Sequence, residues 1–341
     1  MVSNSEDDIE VSVVVPVYNE ESNVDYLFER LTTTLDKLNI KYEIICINDG
    51  SKDNTLSLLI QQHYLNPVIK IINLSRNFGK EAALSAGIDF ASGAAIIPID
   101  ADLQDPPELI GEMINKWREG YDVVYATRRS RRGDTWIKRF TANLFYQIIG
   151  QISHVQIPPN TGDYRLLDRC VVEAVKQMPE KTRFMKGIFS WVGFKQTSIL
   201  YDRPTRYQGI TKWNYWRLWN FAIDGITSFS LLPLKVWSYV GVIFSLTAFL
   251  YAALLIIRTL IFGIDVPGYA SLMVAILFLG GVQLLTLGII GEYIGRIFEE
   301  VKNRPLYLVR EFYGFKQNSQ IYENFQINDK VTSSMKITQD K

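Results

Sequence analysis

Two long uncharged runs near the carboxyl end limit this chain more than any other feature. Residues 236–257 (VWSYVGVIFSLTAFLYAALLII) lie between Lys235 and Arg258, and 22 residues at ~1.5 Å each reach ~33 Å, enough to cross the hydrocarbon core of a bilayer. Residues 266–291 form a second run that ends at Glu292. The eight residues between them, RTLIFGID, are too few for a domain, so the pair predicts a transmembrane hairpin with both long flanks on one side. Lys212, Arg217 and Lys235 precede the first run, and Arg296, Lys302, Arg304 and Arg310 follow the second, against Arg258 alone in the loop. By the positive-inside rule the bulk of the chain and both termini face the cytoplasm, as in an integral inner or plasma membrane protein. The acidic start MVSNSEDDIEV has no apolar stretch, so no signal peptide is expected.

Outside the hairpin, 341 residues leave ample length for a folded core. The 36 Lys and Arg balance 36 Asp and Glu, so no net field draws the protein onto a nucleic acid. Cys46 and Cys170 cannot build a disulfide framework or a four-thiolate zinc site, and both are expected to be buried or inert. With only His63 and His154 besides, any metal must be held mainly by oxygen.

The segment before about residue 210 alternates apolar β-branched runs with helical spacing. VSVVVPVYN (11–19) reads as a strand, and the helix after it places Val24, Leu27, Phe28, Leu31 and Leu35 on one face. YEIICIND (42–49), VIKIINL (68–74), AAIIPID (94–100) and DVVYATR (122–128) read as further strands. Helices are expected around 53–63, 80–91 and 106–120. Such strands, apolar throughout and separated by helices, predict an α/β fold with a mostly parallel sheet covered on both faces. Ligands of such sheets gather at the carboxyl ends of the strands.

Those ends carry the unusual residues: Pro16-Val17-Tyr18-Asn19-Glu20, Asn48-Asp49-Gly50-Ser51, Asp100-Ala101-Asp102-Leu103-Gln104 and Thr127-Arg128. No Gly-x-Gly-x-x-Gly follows the first strand and no Gly-x-x-x-x-Gly-Lys-Ser/Thr occurs, so the dinucleotide and P-loop readings lose their phosphate cradle. Asp100 and Asp102 at a strand end can turn toward one hard divalent cation, Mg²⁺ or Mn²⁺, with Gln104 as a neutral ligand. The competing role for short acids there, capping a helix, suits Asp105 before Pro106-Pro107 better. Asp49 either accepts hydrogen bonds from a nucleoside or closes an Asx turn. Tyr18 and Glu20 either cradle a base or serve as turn and helix-start residues.

Taken together, VSVVVPVYNEE, INDGSKDNT, LSRNFGKEAALSAGIDFA, PIDADLQDPPELI and VVYATR resemble the family-2 inverting glycosyltransferases of GT-A (Rossmann-like) fold. Within them the match is to the polyprenyl-phosphate sugar transferases, the group of dolichyl-phosphate mannose synthase. The stretch RYQGITKW (206–213) and the tail GEYIGRIFEEVKNRPLY resemble its bacterial branch, the bactoprenol glucosyltransferases of GtrB type. The resemblance covers about residues 10–315 and implies a metal-dependent hexosyltransferase. Pro16, Tyr18, Glu20 and Asp49 would then hold the nucleoside, and Asp100, Ala101, Asp102 and Gln104 the diphosphate and metal. Arg128 would face the donor sugar or acceptor phosphate, Arg206 and Lys212 would close over the phosphates, and Asp163 would act on the acceptor side. Ile210 departs from the small residue usual in that loop. The donor implied is a nucleotide sugar, UDP-glucose by analogy, and the acceptor a polyprenyl (undecaprenyl) phosphate, with β-linked product serving lipopolysaccharide or cell-wall glycan. A homo-oligomer, a flippase and a downstream glycosyltransferase are implied partners, and Gly280, Gly281, Gly288, Gly291 and Gly295 would permit close helix packing.

The expected organisation is a GT-A domain over 1–210, interfacial amphipathic helices over 211–235, spans at 236–257 and 266–291, and a cytoplasmic tail over 292–341. Trp213, Trp216, Trp219, Phe221 and Phe229 suit a headgroup-level helix, or alternatively a core helix on the sheet. The basic run from Arg128 to Arg132, with Lys138 and Arg139, either draws anionic lipid toward the site or is a solvated loop. Two other function classes stay open. A processive polysaccharide synthase is disfavoured by two spans and by the lack of Gln-x-x-Arg-Trp, whereas a non-enzymatic nucleotide-sugar sensor or flippase scaffold would carry label into neither lipid nor polymer.

Overall fold

The computed structural model describes residues 9–129, 161–202 apart from 179, 182 and 184, 232–262 and 268–315. Arg206, Lys212, the aromatic segment 213–229, most of the basic run after Arg129 and the tail beyond 315 lie outside the described residues.

The described chain forms one eight-stranded sheet: β1 Val11–Val17, β2 Tyr42–Asn48, β3 Ile69–Leu74, β4 Ala95–Pro98, β5 Val123–Arg128, β6 Thr161–Asp168, β7 Gln196–Tyr201 and β8 Val309–Tyr313. Their order across the sheet is β7-β5-β6-β4-β1-β2-β3-β8. Four neighbouring pairs are parallel, β1–β2, β1–β4, β2–β3 and β5–β7, and three are antiparallel, so the sheet is mixed with a parallel centre.

Helices cover both faces. α1 (Val24–Lys37), α2 (Thr55–Leu65), α3 (Lys80–Phe90), α4 (Ile110–Arg118), α5 (Arg169–Lys176) and α6 (Met185–Trp191) pack on the sheet. The side-chain alternation of β1 divides the core: Val11, Val13 and Val15 join α1 and α4 on one face, while Val14 joins α3 and α5 on the other. All five positions that make α1 amphipathic are buried, as the spacing predicts. Ser12 breaks the apolar run because its Oγ donates to Glu43 Oε1 at 2.5 Å, and Glu43 also receives Lys70 Nζ at 2.6 Å.

Two long helices follow, α7 (Leu232–Phe262) and α8 (Tyr269–Val301), in contact through Phe244 and Phe278, whose rings lie 5.4 Å apart. Large apolar side chains such as Leu246, Leu250, Leu284 and Leu287 are exposed, a surface that water does not tolerate over such an area. Among the described residues, Phe278–Val301 is long and apolar enough to cross a membrane. The helix carries on past Gly291, where the uncharged run ends, to Val301, because the backbone ladder continues through good helix formers. There Glu292 and Arg296 pair at 2.9 Å one turn apart. After α8 the chain returns to the sheet: Tyr307 Oη donates to Asp89 at 2.8 Å, Ser75 N donates to Leu308 O at 2.9 Å, and β8 pairs antiparallel with β3.

Candidate active site

The strand order reverses between β1 and β4, since β2 and β3 lie on one side of β1 and β4 on the other. A crevice opens at such a switch point. The β1–β4 ladder ends at Val14 and Pro98, with Ile99 N donating to Val14 O at 2.9 Å. Pro16, two residues on, points its missing N–H toward a neighbour that has already stopped, which is why a proline sits in a central strand without an orphaned carbonyl.

Two loops are laced along one side of this crevice. Asn19 N donates to Ser51 Oγ at 3.0 Å, Lys52 N to Asn19 Oδ1 at 2.8 Å, and Glu20 N to Thr55 Oγ1 at 2.9 Å. Glu20 accepts from Asn23 Nδ2 at 2.6 Å, and Tyr18 is half-buried beside it. Asp49 is 3% exposed, and its two oxygens accept from Phe78 N at 2.7 Å and Gly79 N at 3.0 Å. Burial pushes its carboxyl above the ordinary range against these bonds. Asp49 thus clamps the loop that leads into α3 rather than closing its own turn. Gly50, at φ 66°, lets the Arg76 backbone approach so closely that a Cβ would sit 2.5 Å from Arg76 C.

On the other side, Asp100 and Asp102 lie just past β4. Asp102 is buried and accepts from Gln104 N at 3.2 Å. Leu103 between them stands at φ 57°, a left-handed conformation costly for a branched side chain and held by its own burial. Asp105 corrects the capping expectation. The N-cap of the turn before α4 is Pro106, with no side-chain cap bond, and Asp105 instead accepts from Tyr201 Oη at 3.1 Å. Tyr164 Oη donates to Pro106 O at 2.8 Å, so the β6 and β7 tyrosines brace this loop from below.

Asp163 reaches the same rim through an irregularity in β6. Tyr125 pairs with Arg165 and Thr127 with Thr161, so one residue of β5, Ala126, faces three of β6, Gly162, Asp163 and Tyr164. Bulges of this kind re-aim side chains at sites. Asp163 Oδ2 receives Lys80 Nζ at 2.7 Å, and the same nitrogen lies 2.6 Å from Asp100 Oδ1. Burial works against the charge of Asp163, but Lys80, with Lys186 and Arg165 nearby, holds it well below the carboxylate range. Its Oδ1 is buried with no partner among the described residues, as is Arg128 Nε at the end of β5.

The sequence-predicted residues Pro16, Tyr18, Glu20, Asp49, Asp100, Ala101, Asp102, Gln104, Arg128 and Asp163 therefore all lie along the sheet edge where β1, β2, β4 and β5 end. Lys80, Glu81 and Arg165 were not among them. Arg165 is 3% exposed and stacks over Phe189 at 4.7 Å, while burial and the charge of Asp163 push Glu81 up to about 8 against Lys80 and Lys186. The one local signal for Lys80 was a cation at the first position of a helix, where the dipole favours an acid. Cys46 is buried, and Cys170, exposed at the start of α5, has its thiol pushed up to about 12 by desolvation and Asp168, which leaves it protonated and inert.

Among the described residues no three His, Cys, Asp or Glu side chains form a metal cage. The oxygen donors of Asp100, Asp102 and Gln104 still fit Mg²⁺ or Mn²⁺, which proteins commonly hold by one or two carboxylates together with substrate phosphates. Asp100 already holds a positive charge, the Lys80 ammonium.

An α/β sheet with acidic side chains at its switch point is thus followed by a long apolar hairpin. Residues 12–175 match the glycosyl transferase family 2 domain, and residues 232–297 match the GtrB C-terminal hairpin. The chain is 67% identical over 308 residues to an uncharacterized glycosyltransferase of Synechocystis sp., covering 90% of this chain and 97% of that protein. It is 50% identical over 303 residues to the SfII prophage-derived bactoprenol glucosyl transferase of Shigella flexneri, covering 89% and 98%. To a prophage bactoprenol glucosyl transferase homolog of Escherichia coli it is 48% identical over 302 residues, covering 89% and 99%. The chain belongs to glycosyl transferase family 2, in the branch that carries the GtrB hairpin.

Proposed function

We propose that this protein transfers a hexose from a nucleotide sugar, UDP-glucose, to a polyprenyl (undecaprenyl) phosphate at the cytoplasmic face of the inner or plasma membrane, with inversion at the anomeric carbon. The product, a polyprenyl-phosphate sugar, would serve glycan or O-antigen modification after passage through a flippase to a downstream glycosyltransferase. The observation that carries this reading is the convergence of Asp100, from the loop after β4, and Asp163, from β6, on one ammonium at the β1–β4 crevice. Relatives matched over almost their whole length are named bactoprenol glucosyl transferases, which supports the acceptor class.

In this reading Pro16, Tyr18, Glu20 and Asp49 form the nucleoside end, with Asp49 also holding the 76–79 loop. Asp100, Asp102 and Gln104 would hold Mg²⁺ or Mn²⁺ with the donor diphosphate, and Arg206 and Lys212 would close over it. When bound, such a cation supplies neutralisation of the charge on the departing nucleotide. The acceptor phosphate monoester, with a second pKa of about 6, is largely ionised at neutral pH and attacks without a strong general base. Asp163, kept ionised by Lys80, therefore positions rather than deprotonates. Arg128, with a buried donor unspent among the described residues, would face the sugar or the incoming phosphate. A long polyprenyl chain stays in the bilayer, and two spans with the aromatic 213–229 segment at the headgroups would bring the crevice to its phosphate.

A donor screen tests this: purified protein, undecaprenyl phosphate, Mg²⁺ or Mn²⁺, and labelled UDP- or GDP-sugars. Label extracted into organic solvent from UDP-glucose is the expected result. Label in insoluble polymer would favour a processive synthase, and label in neither fraction would favour a sensor or scaffold.

A further inference from the structure

Lys80 stands where helix electrostatics would place an acid. It is the first residue of α3, yet the N-terminal turn of a helix disfavours a cation. Its Nζ makes two short ion pairs, 2.6 Å to Asp100 and 2.7 Å to Asp163, with side-chain exposures of 40% for Lys80, 29% for Asp100 and 12% for Asp163. Glu81 beside it leaves a buried Oε2 without a partner among the described residues, so the ammonium is committed to the two aspartates instead of its own neighbour. A locally unfavourable residue kept at such a junction points to a role in the site.

We propose that Lys80 is a placeholder cation, which occupies Asp100 until a donor-bound divalent cation takes that carboxylate, and which then remains on Asp163. This rests on the metal reading given above. Two cations on one small carboxylate repel each other, so the ammonium and the metal compete for Asp100. While the ammonium stays, the acids are neutralised and the crevice is ordered without donor. Once displaced, Lys80 keeps its bond to Asp163 and has a free N–H for an anionic oxygen on the acceptor side. Donor binding would thus expose the cation that a lipid phosphate needs.

The test is Mn²⁺ binding to the full chain in detergent, read from the paramagnetic resonance of the free aquo ion, so that it does not depend on turnover. Without nucleotide, Lys80→Gln is expected to bind Mn²⁺ about tenfold tighter than the unaltered chain, and Lys80→Arg to stay within about twofold of it. Lys186→Gln removes a nearby positive charge that makes no bond to Asp100, and is expected to change affinity by less than about twofold. If Lys80→Gln binds no tighter, or if Lys186→Gln tightens binding equally, the placeholder role is overturned while the metal reading stands. If no form binds Mn²⁺ even with UDP present, the metal reading falls and the placeholder role falls with it.

Discussion

Asn73 of β3 donates from Nδ2 to Glu311 Oε2 of β8 at 2.9 Å, and its Oδ1 accepts from Asn48 Nδ2 of β2 at 2.8 Å. Through these bonds the segment that leaves the second apolar helix is joined to β2, the strand that ends just before Asp49. At its other end, Glu300 of α8 accepts from Lys181 N at 2.8 Å. The apolar hairpin is therefore tied to the rest of the fold both at the end of α8 and through the strand that follows it. Glu311→Ala should leave the Asn73 donor unsatisfied and cost about 1–2 kcal/mol, measured by denaturant unfolding in detergent. Unchanged stability would mean that β8 is not held by this ladder.

Gly50 should not accept a side chain. Its φ of 66° and the 2.5 Å approach of the Arg76 backbone make Gly50→Ala doubly unfavourable, by at least about 2 kcal/mol. Because the displaced loop also carries the N–H groups that hold Asp49, donor KM should rise along with the loss of stability. Steady-state kinetics and urea midpoints on the same variant check both.

Glu43 gives a pH signature far from the crevice. Burial opposes its charge, but Lys70, Ser12 and Ser92 hold it below the ordinary glutamate value of 4.5. A depressed folded-state pKa contributes stability above 4.5 that is lost as pH falls through the lowered value. Glu43→Gln should cost about 2–3 kcal/mol at pH 7 and much less at a pH below the lowered value. An equal cost at both pH values would contradict this.

Glu81 behaves in the opposite sense. Burial and Asp163 raise it from 4.5 to about 8, so the folded chain holds a proton that the unfolded chain releases. Stability then falls as pH rises from 4.5 to about 8. Glu81→Gln mimics the neutral acid and should raise Tm by about 2–4 °C at pH 8 with little change near pH 4.5. A shift of the same size at both values would show that the acid is already ionised at low pH.

What the sequence makes legible follows from how local each signal is. Val24, Leu27, Phe28, Leu31 and Leu35 announce the buried face of α1 because helical spacing is a short-range pattern. The acids after β4 announce themselves because they end an apolar run. In contrast, β6 (TGDYRLLD) and β8 (VREFY) carry charges that mask any alternation, and they become strands only by pairing with β5 and β4, and with β3, far away in the chain. Lys80 was missed for the same reason, since its partner Asp163 lies 83 residues away and only the folded sheet joins them.

Label partition in membranes tests the central claim most directly. Membranes containing the unaltered chain, incubated with undecaprenyl phosphate, Mn²⁺ and labelled UDP-glucose, should place label in an organic-extractable lipid. Asp102→Asn and Asp163→Asn should each lower that signal at least about a hundredfold while the protein still folds. Equal lipid labelling by Asp102→Asn, or label that never enters lipid, would contradict the account.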